Sequence, residues 1–143
     1  MSIRGDLYGY LVGISAITSL ISTRLYPSPA PTSATFPYVT FARTAQDHVH
    51  HLKAAAGLTF ARYQFDTFAI TDESAWSVAE ALRGELDGYQ EGAINGGGST
   101  VVNSIVLDDE ADVFTPPDDK SEIGIFQVRQ QYTVEYAETV PTF

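Results

Sequence analysis

The chain has 143 residues, with 18 acidic against 8 basic side chains and a formal net charge of −10. That length makes one domain whose core holds without a disulfide or a metal; with no cysteine, disulfide scaffolds, thiol chemistry and cysteine-ligated zinc or iron–sulfur centres are excluded. The acidic balance argues against a phosphate-tracking role, which needs lysine and arginine gathered on one face.

Ile3, Leu7, Tyr10, Leu11 and Ile14 recur at helical spacing and predict an amphipathic helix over residues 3–14. A short second helix, Ser15 to Ile21, is expected after Gly13. Pro27, Pro29, Pro31 and Pro37 then forbid a helix or a central strand and predict a stiff, extended connection. It leads into Tyr38 to Thr44, rich in β-branched and aromatic residues and the first main strand. Residues 45–57 read as a hairpin loop or as the flared tip of a long hairpin. The second main strand is Leu58 to Ile70. Ala61, Tyr63, Phe65, Thr67 and Ala69 line one of its faces, and Arg62, Gln64 and Asp66 the other.

Thr71-Asp72-Glu73-Ser74 supplies a capping oxygen and early acids, the signature of a helix start. Ala75, Val78, Ala79, Leu82, Leu86 and Tyr89 follow one helical face, and Asp87-Gly88 is the expected stop. Gly92 to Gly98 reads as a flexible turn, Ser99 to Leu107 as a strand, and Asp108 to Glu122 as an acidic, proline-containing loop. The final strand sets Phe126, Val128, Tyr132, Val134 and Tyr136 against Gln127, Arg129, Gln131, Thr133 and Glu135. The expected class is α+β, a mainly antiparallel sheet of about four strands with two main helices packed on one face. A single domain spans residues 1–143, with a core of 1–137 and a C-terminal tail of 138–143.

The negative charge is concentrated. Residues 85–122 carry ten acids and Lys120 alone among the bases, a formal −9, whereas residues 1–84 are neutral. The opening segment lacks a signal-peptide apolar core, and Leu7 to Ile21 is too short and too interrupted to span a bilayer. The expected location is a cytoplasm, or a particle assembled in one.

Each cluster that could carry chemistry falls short of it. Asp47, His48, His50 and His51 are the candidate metal group, but adjacent histidines in a loop do not converge on one ion and no distant histidine completes the set. Gly92-Ala93-Ile94-Asn95-Gly96-Gly97-Gly98-Ser99 approaches a phosphate-binding loop yet has Gly98 where the lysine belongs, and it joins a helix to a strand rather than the reverse. Asp108, Asp109, Glu110, Asp112, Asp118, Asp119 and Glu122 do not follow calcium-loop spacing. They read as a solvated loop or as an electrostatic surface facing a lumen or a partner. Gly-x-Ser-x-Gly is absent, and no catalytic residue, cofactor or metal is expected.

The order of segments resembles the tail completion, or tail terminator, family of long-tailed bacteriophages. The resemblance rests on Gly5-Asp6-Leu7-Tyr8, Ala16-Ile17-Thr18, Arg24-Leu25-Tyr26-Pro27 and Phe36-Pro37-Tyr38-Val39-Thr40-Phe41. It continues through Gln64 to Ala69, Ala79 to Gly88, Ser104 to Glu110 and Gln131-Tyr132-Thr133-Val134, so it covers residues 3–136. Residues 47–51, the triple glycine 96–98 and the tail after Ala137 depart from the pattern. The resemblance implies a non-enzymatic virion protein that closes into a hexameric ring at the top of the tail tube. It also implies a role in stopping tube polymerisation and presenting a head-joining surface. The implied partners are further copies of the chain, the tail tube protein and the head-completion or connector protein. DNA would only pass through the lumen, with no specific nucleic-acid binding and no membrane. The alternatives are another head–tail connector (adaptor or stopper) protein and a non-viral acidic adaptor.

Overall fold

The computed structural model describes residues 3–28, 30–31, 34–50, 55–93, 101–115 and 124–137. Helices α1 (Ile3–Val12) and α2 (Ser15–Ile21) open the chain, followed by strands β1 (Leu25–Pro27), β2 (Tyr38–His50) and β3 (Ala55–Ala69). Helix α3 (Asp72–Leu86) precedes β4 (Gln90–Ala93), β5 (Val101–Thr115) and β6 (Ile125–Ala137). The strands form one sheet in the order β1-β2-β3-β6-β5-β4, antiparallel throughout except for the parallel β1–β2 pair.

The helices gather on one sheet face, as the hydrophobic stripes require. Leu7 and Leu11 of α1, Ile17 and Ile21 of α2, and Val78, Leu82 and Leu86 of α3 meet Phe41, Tyr63, Phe65, Ile105, Tyr132 and Val134 of the sheet. Each such side chain, removed fully from water, stabilises the fold by about 1.5–3 kcal/mol before the ordering entropy is counted. The Thr71 hydroxyl accepts from Ser74 N at 3.2 Å, the cap expected for α3, and Arg83 sits in the last turn. Gly88 follows with φ of 86°, a left-handed conformation that glycine adopts without strain, and ends the helix where the sequence placed its stop.

The class and the one-sided helix layer agree with expectation; the strand count and several boundaries do not. Among the described residues there are six strands rather than about four, while the two main helices, α1 and α3, are joined by the short α2 over the expected Ser15–Ile21. The short β1 and β4 have too few residues to show a period. The 45–57 segment takes the second of its two expected readings: it divides into the ends of β2 and β3, paired as one long hairpin, with residues 51–54 outside the described range. The loop expected to begin at Asp108 does not begin there: β5 runs on to Thr115. Acidic residues are poor strand formers, but β6 offers a partner all along this stretch, from Leu107↔Tyr132 to Thr115↔Ile125. Pairing and neighbouring side chains override the weak intrinsic preference.

Candidate functional site

The sheet face opposite the helices carries no layer of its own among the described residues, and it is where the polar rows of the central strands meet. Register places Asp66 opposite Arg129 and Phe68 opposite Gln127. Asp66 Oδ1 accepts from Gln127 Nε2 at 2.9 Å and from Arg129 Nε at 3.1 Å, while Oδ2 accepts from Gln64 Nε2 at 2.8 Å. The Asp66 side chain is only 14% exposed, so these three donors replace most of its lost hydration. Beside it the Tyr38 ring stacks on Phe68 with centroids 5.0 Å apart and meets Tyr26 edge-on at 6.2 Å. Burial first, and the neighbouring Tyr26 second, raise the Tyr38 phenol above its ordinary pKa. Tyr38, Thr40, Asp66, Phe68, Gln127 and Arg129 line a hollow of about 400 Å³ on this face.

The acids singled out in the sequence are not one loop surface. Asp108 and Asp109 lie at an irregularity in the β5–β6 register, after which Glu110 pairs with Gln130 and Asp112 with Val128, both on the helix side of the sheet. Asp108 accepts a hydrogen bond from Thr133 Oγ1, and Asp109 Oδ1 accepts from Glu110 N at 3.0 Å. Glu110 Oε2 accepts from Gln130 Nε2 at 2.8 Å, and the same amide donates to Ala79 O at 3.0 Å, which ties β5, β6 and α3 together. Asp108, Asp109 and Asp112 are exposed, Glu110 half-buried. Asp118, Asp119 and Glu122 lie outside the described residues. The acids of β5 therefore present charge on both faces of one strand rather than around one loop.

Sequence reasoning missed Gln130, which is fully buried on the helix side, and missed the pairing of Asp66 with Arg129. A signal for the latter was present, since each of the two long strands carried a polar row holding both an arginine and an acid. No signal marked Gln130, a polar residue within an apolar row.

The histidine group offers no coordination geometry to describe. His48 and His50 belong to β2, and their side chains, with His51, lie outside the described residues, as do residues 94–100 of the glycine-rich stretch. Among the described residues no three His, Cys, Asp or Glu side chains are grouped to hold a metal, and no helix is long and apolar enough to cross a membrane.

No protein-family model matches the chain and no curated protein matches it. Among solved structures the chain is similar to one from the virion of a native gene transfer agent (GTA) particle. The TM-score is 0.71 at 10% sequence identity, over 95% of this chain and 95% of that chain, which establishes a shared fold along the whole length.

Proposed function

We propose that this protein is a non-catalytic structural virion protein, and specifically a tail terminator. Copies close into a ring of six at the top of the tail tube, stop its polymerisation and present the surface that joins the head. The observation that carries this reading is the fold shared end to end with a virion chain of a gene transfer agent particle. The ordered segments that resemble phage tail terminators, over residues 3–136, point the same way. The physical form suits assembly. Among the described residues the helices clothe one sheet face, which leaves the other face and the edges for neighbours.

The partners in this reading are further copies of the chain, the tail tube protein and the head-completion or connector protein. DNA passes through the lumen without being held. The deciding experiment is electron microscopy of the purified protein, alone and mixed with tail tubes or with portal. Rings seated on one end of the tube are expected. Monomers that ignore tube ends would overturn the reading, and rings that bind portal alone would replace it with that of a connector adaptor.

A further inference from the structure

The two edges of the sheet are each half covered, at opposite corners. On one side, β1 pairs with Val39 to Phe41 of β2, and Ser28 N donates to Phe41 O at 3.0 Å. Beyond that point Ala42 to His50 has no strand on its outer side among the described residues. On the other side, β4 and the end of α3 cover β5 as far as Leu107, whose N–H donates to Asp87 Oδ1. Asp108 to Thr115 has no outer strand among the described residues, and Glu110 N there is turned to its neighbour Asp109 Oδ1. The two free stretches are nearly equal in length, eight and nine residues.

Their charges differ in a way that selects partners. Asp108, Asp109, Glu110 and Asp112 put four negative charges on the free stretch of β5. Two such edges repel one another, which discourages a symmetric β5-to-β5 pairing. The free stretch of β2 carries Arg43, with Arg62 beside it on β3 and Asp47 as its one acid; both arginines are exposed. The β5 stretch also holds Val113 and Phe114 at 37% and 52% exposure, apolar surface that a neighbour would cover.

We infer that the subunit contact of the ring is the free edge of β5 from one copy paired antiparallel with the free edge of β2 from the next, so that the sheet continues from subunit to subunit. This inference rests on the ring reading above and adds the surfaces to it. The contact is head-to-tail, as a closed ring of more than two identical copies needs. β1 and β4 do not obstruct it, because each occupies the half of its edge that the pairing leaves unused. Register also sets the tilt. Ala111 aligns through Arg129 and Asp66 with Thr40, six residues from Gln46 at the middle of the free β2 stretch. The bulge between Arg43 and Ala45 makes these six residues five ladder steps, a shift of about 17 Å along the strands for a sideways repeat of four strand spacings, about 19 Å. A ring without rise then inclines its strands by about 40° to the axis, within the 35–45° that closed sheets adopt.

The chain has no cysteine, so paired thiols report the contact cleanly. Ala45 and Val113 are exposed and fall on the same side of the sheet by register. The Ala45→Cys, Val113→Cys double variant, treated with a short bismaleimide, is expected to give a ladder of covalent oligomers up to the ring, whereas each single variant gives none beyond dimer. In a second arm, Asp109→Lys with Asp112→Lys lowers the ring fraction at least tenfold, and so does Arg43→Glu with Arg62→Glu. Mixing the two variants restores rings, because each then meets an edge of opposite charge. Circular dichroism of every variant reports folding independently. Rings seen by microscopy without a ladder, and without the charge-swap rescue, overturn the edge contact and leave the ring reading standing. Monomers in every condition, tail tubes included, overturn both.

Discussion

Asp87 Oδ1 accepts a hydrogen bond from Leu107 N at 2.9 Å, and beyond this contact no strand covers the outer side of β5 among the described residues. Just before it, Ile105 O accepts from Gly88 N and Ile105 N donates to Tyr89 O. Just after it, the strand turns to its own side chains, with Glu110 N held by Asp109. The same Asp87 carboxylate lies 3.5 Å from Arg83 Nε one turn back, an exposed pair worth only a few tenths of a kcal/mol.

Asp87→Ala is expected to destabilise the fold by about 1–2 kcal/mol through the unpaired amide. Hydrogen exchange should quicken at Leu107 while Ile105 keeps its protection. Equal acceleration at both residues would mean that Asp87 holds the whole corner rather than one donor.

Asp66 is the shared acceptor of the open face, so its loss and that of its donors should not add. Asp66→Ala is expected to cost about 1–3 kcal/mol, because three donors lose their partner at a poorly hydrated site. Arg129→Ala should cost less, since its side chain is 43% exposed. In a urea double-mutant cycle the pair should couple by at least about 0.5 kcal/mol. Full additivity would show that the two side chains act independently.

Tyr132 is fully buried, and its hydroxyl has no hydrogen-bond partner among the described residues. Burial first, then the carboxylates of Glu110 and Asp87, hold its pKa well above the ordinary tyrosine range. The native state then keeps a proton that the unfolded chain releases near pH 10, so this contribution is intact below that pH and lost as pH rises past it. Tyr132→Phe should be neutral, or stabilising by up to about 1 kcal/mol, at pH 7. Its urea midpoint should also fall less steeply than that of the parent between pH 9.5 and 11, a range set by the ordinary tyrosine pKa of about 10. Parallel pH profiles would count against the burial argument.

Changing Asp108, Asp109, Glu110 and Asp112 together to Asn or Gln removes the repulsion between like β5 edges while leaving side-chain volume nearly unchanged. Irregular association, seen by light scattering at physiological salt, is expected to rise, because the edge loses the charge that discourages indiscriminate pairing. Rings that do form should depend less on ionic strength. Normal tails combined with slowed DNA ejection would instead place these acids on the lumen. Unchanged assembly and ejection would leave them a role in solubility alone.

The histidine group supplies a simpler test. Alanine at His48, His50 and His51 together is expected to preserve folding and ring formation, and chelator should not shift the melting temperature. Loss of particles that added zinc restores would reveal a metal site.

Elements whose side-chain period is long and unmixed were legible before any fold was known. Residues 58–70 alternate cleanly enough to assign each side chain to a face, and β3 buries Ala61, Tyr63, Phe65, Thr67 and Ala69 accordingly. Thr71 and Gly88 bounded α3 because capping and left-handed glycine are local matters, settled within a few residues. The features that stayed hidden are non-local. Asp108 to Thr115 is a strand because β6 pairs with it, and a local reading of four acids sees only a solvated loop. Gln130 is buried because Ala79 O and Glu110 accept its amide protons, partners 51 and 20 residues away in the chain. Asp66 and Arg129, 63 residues apart, became one site through strand order alone. Periodicity reports which face a residue takes, whereas partners across the sheet follow from topology and register, which no single segment encodes.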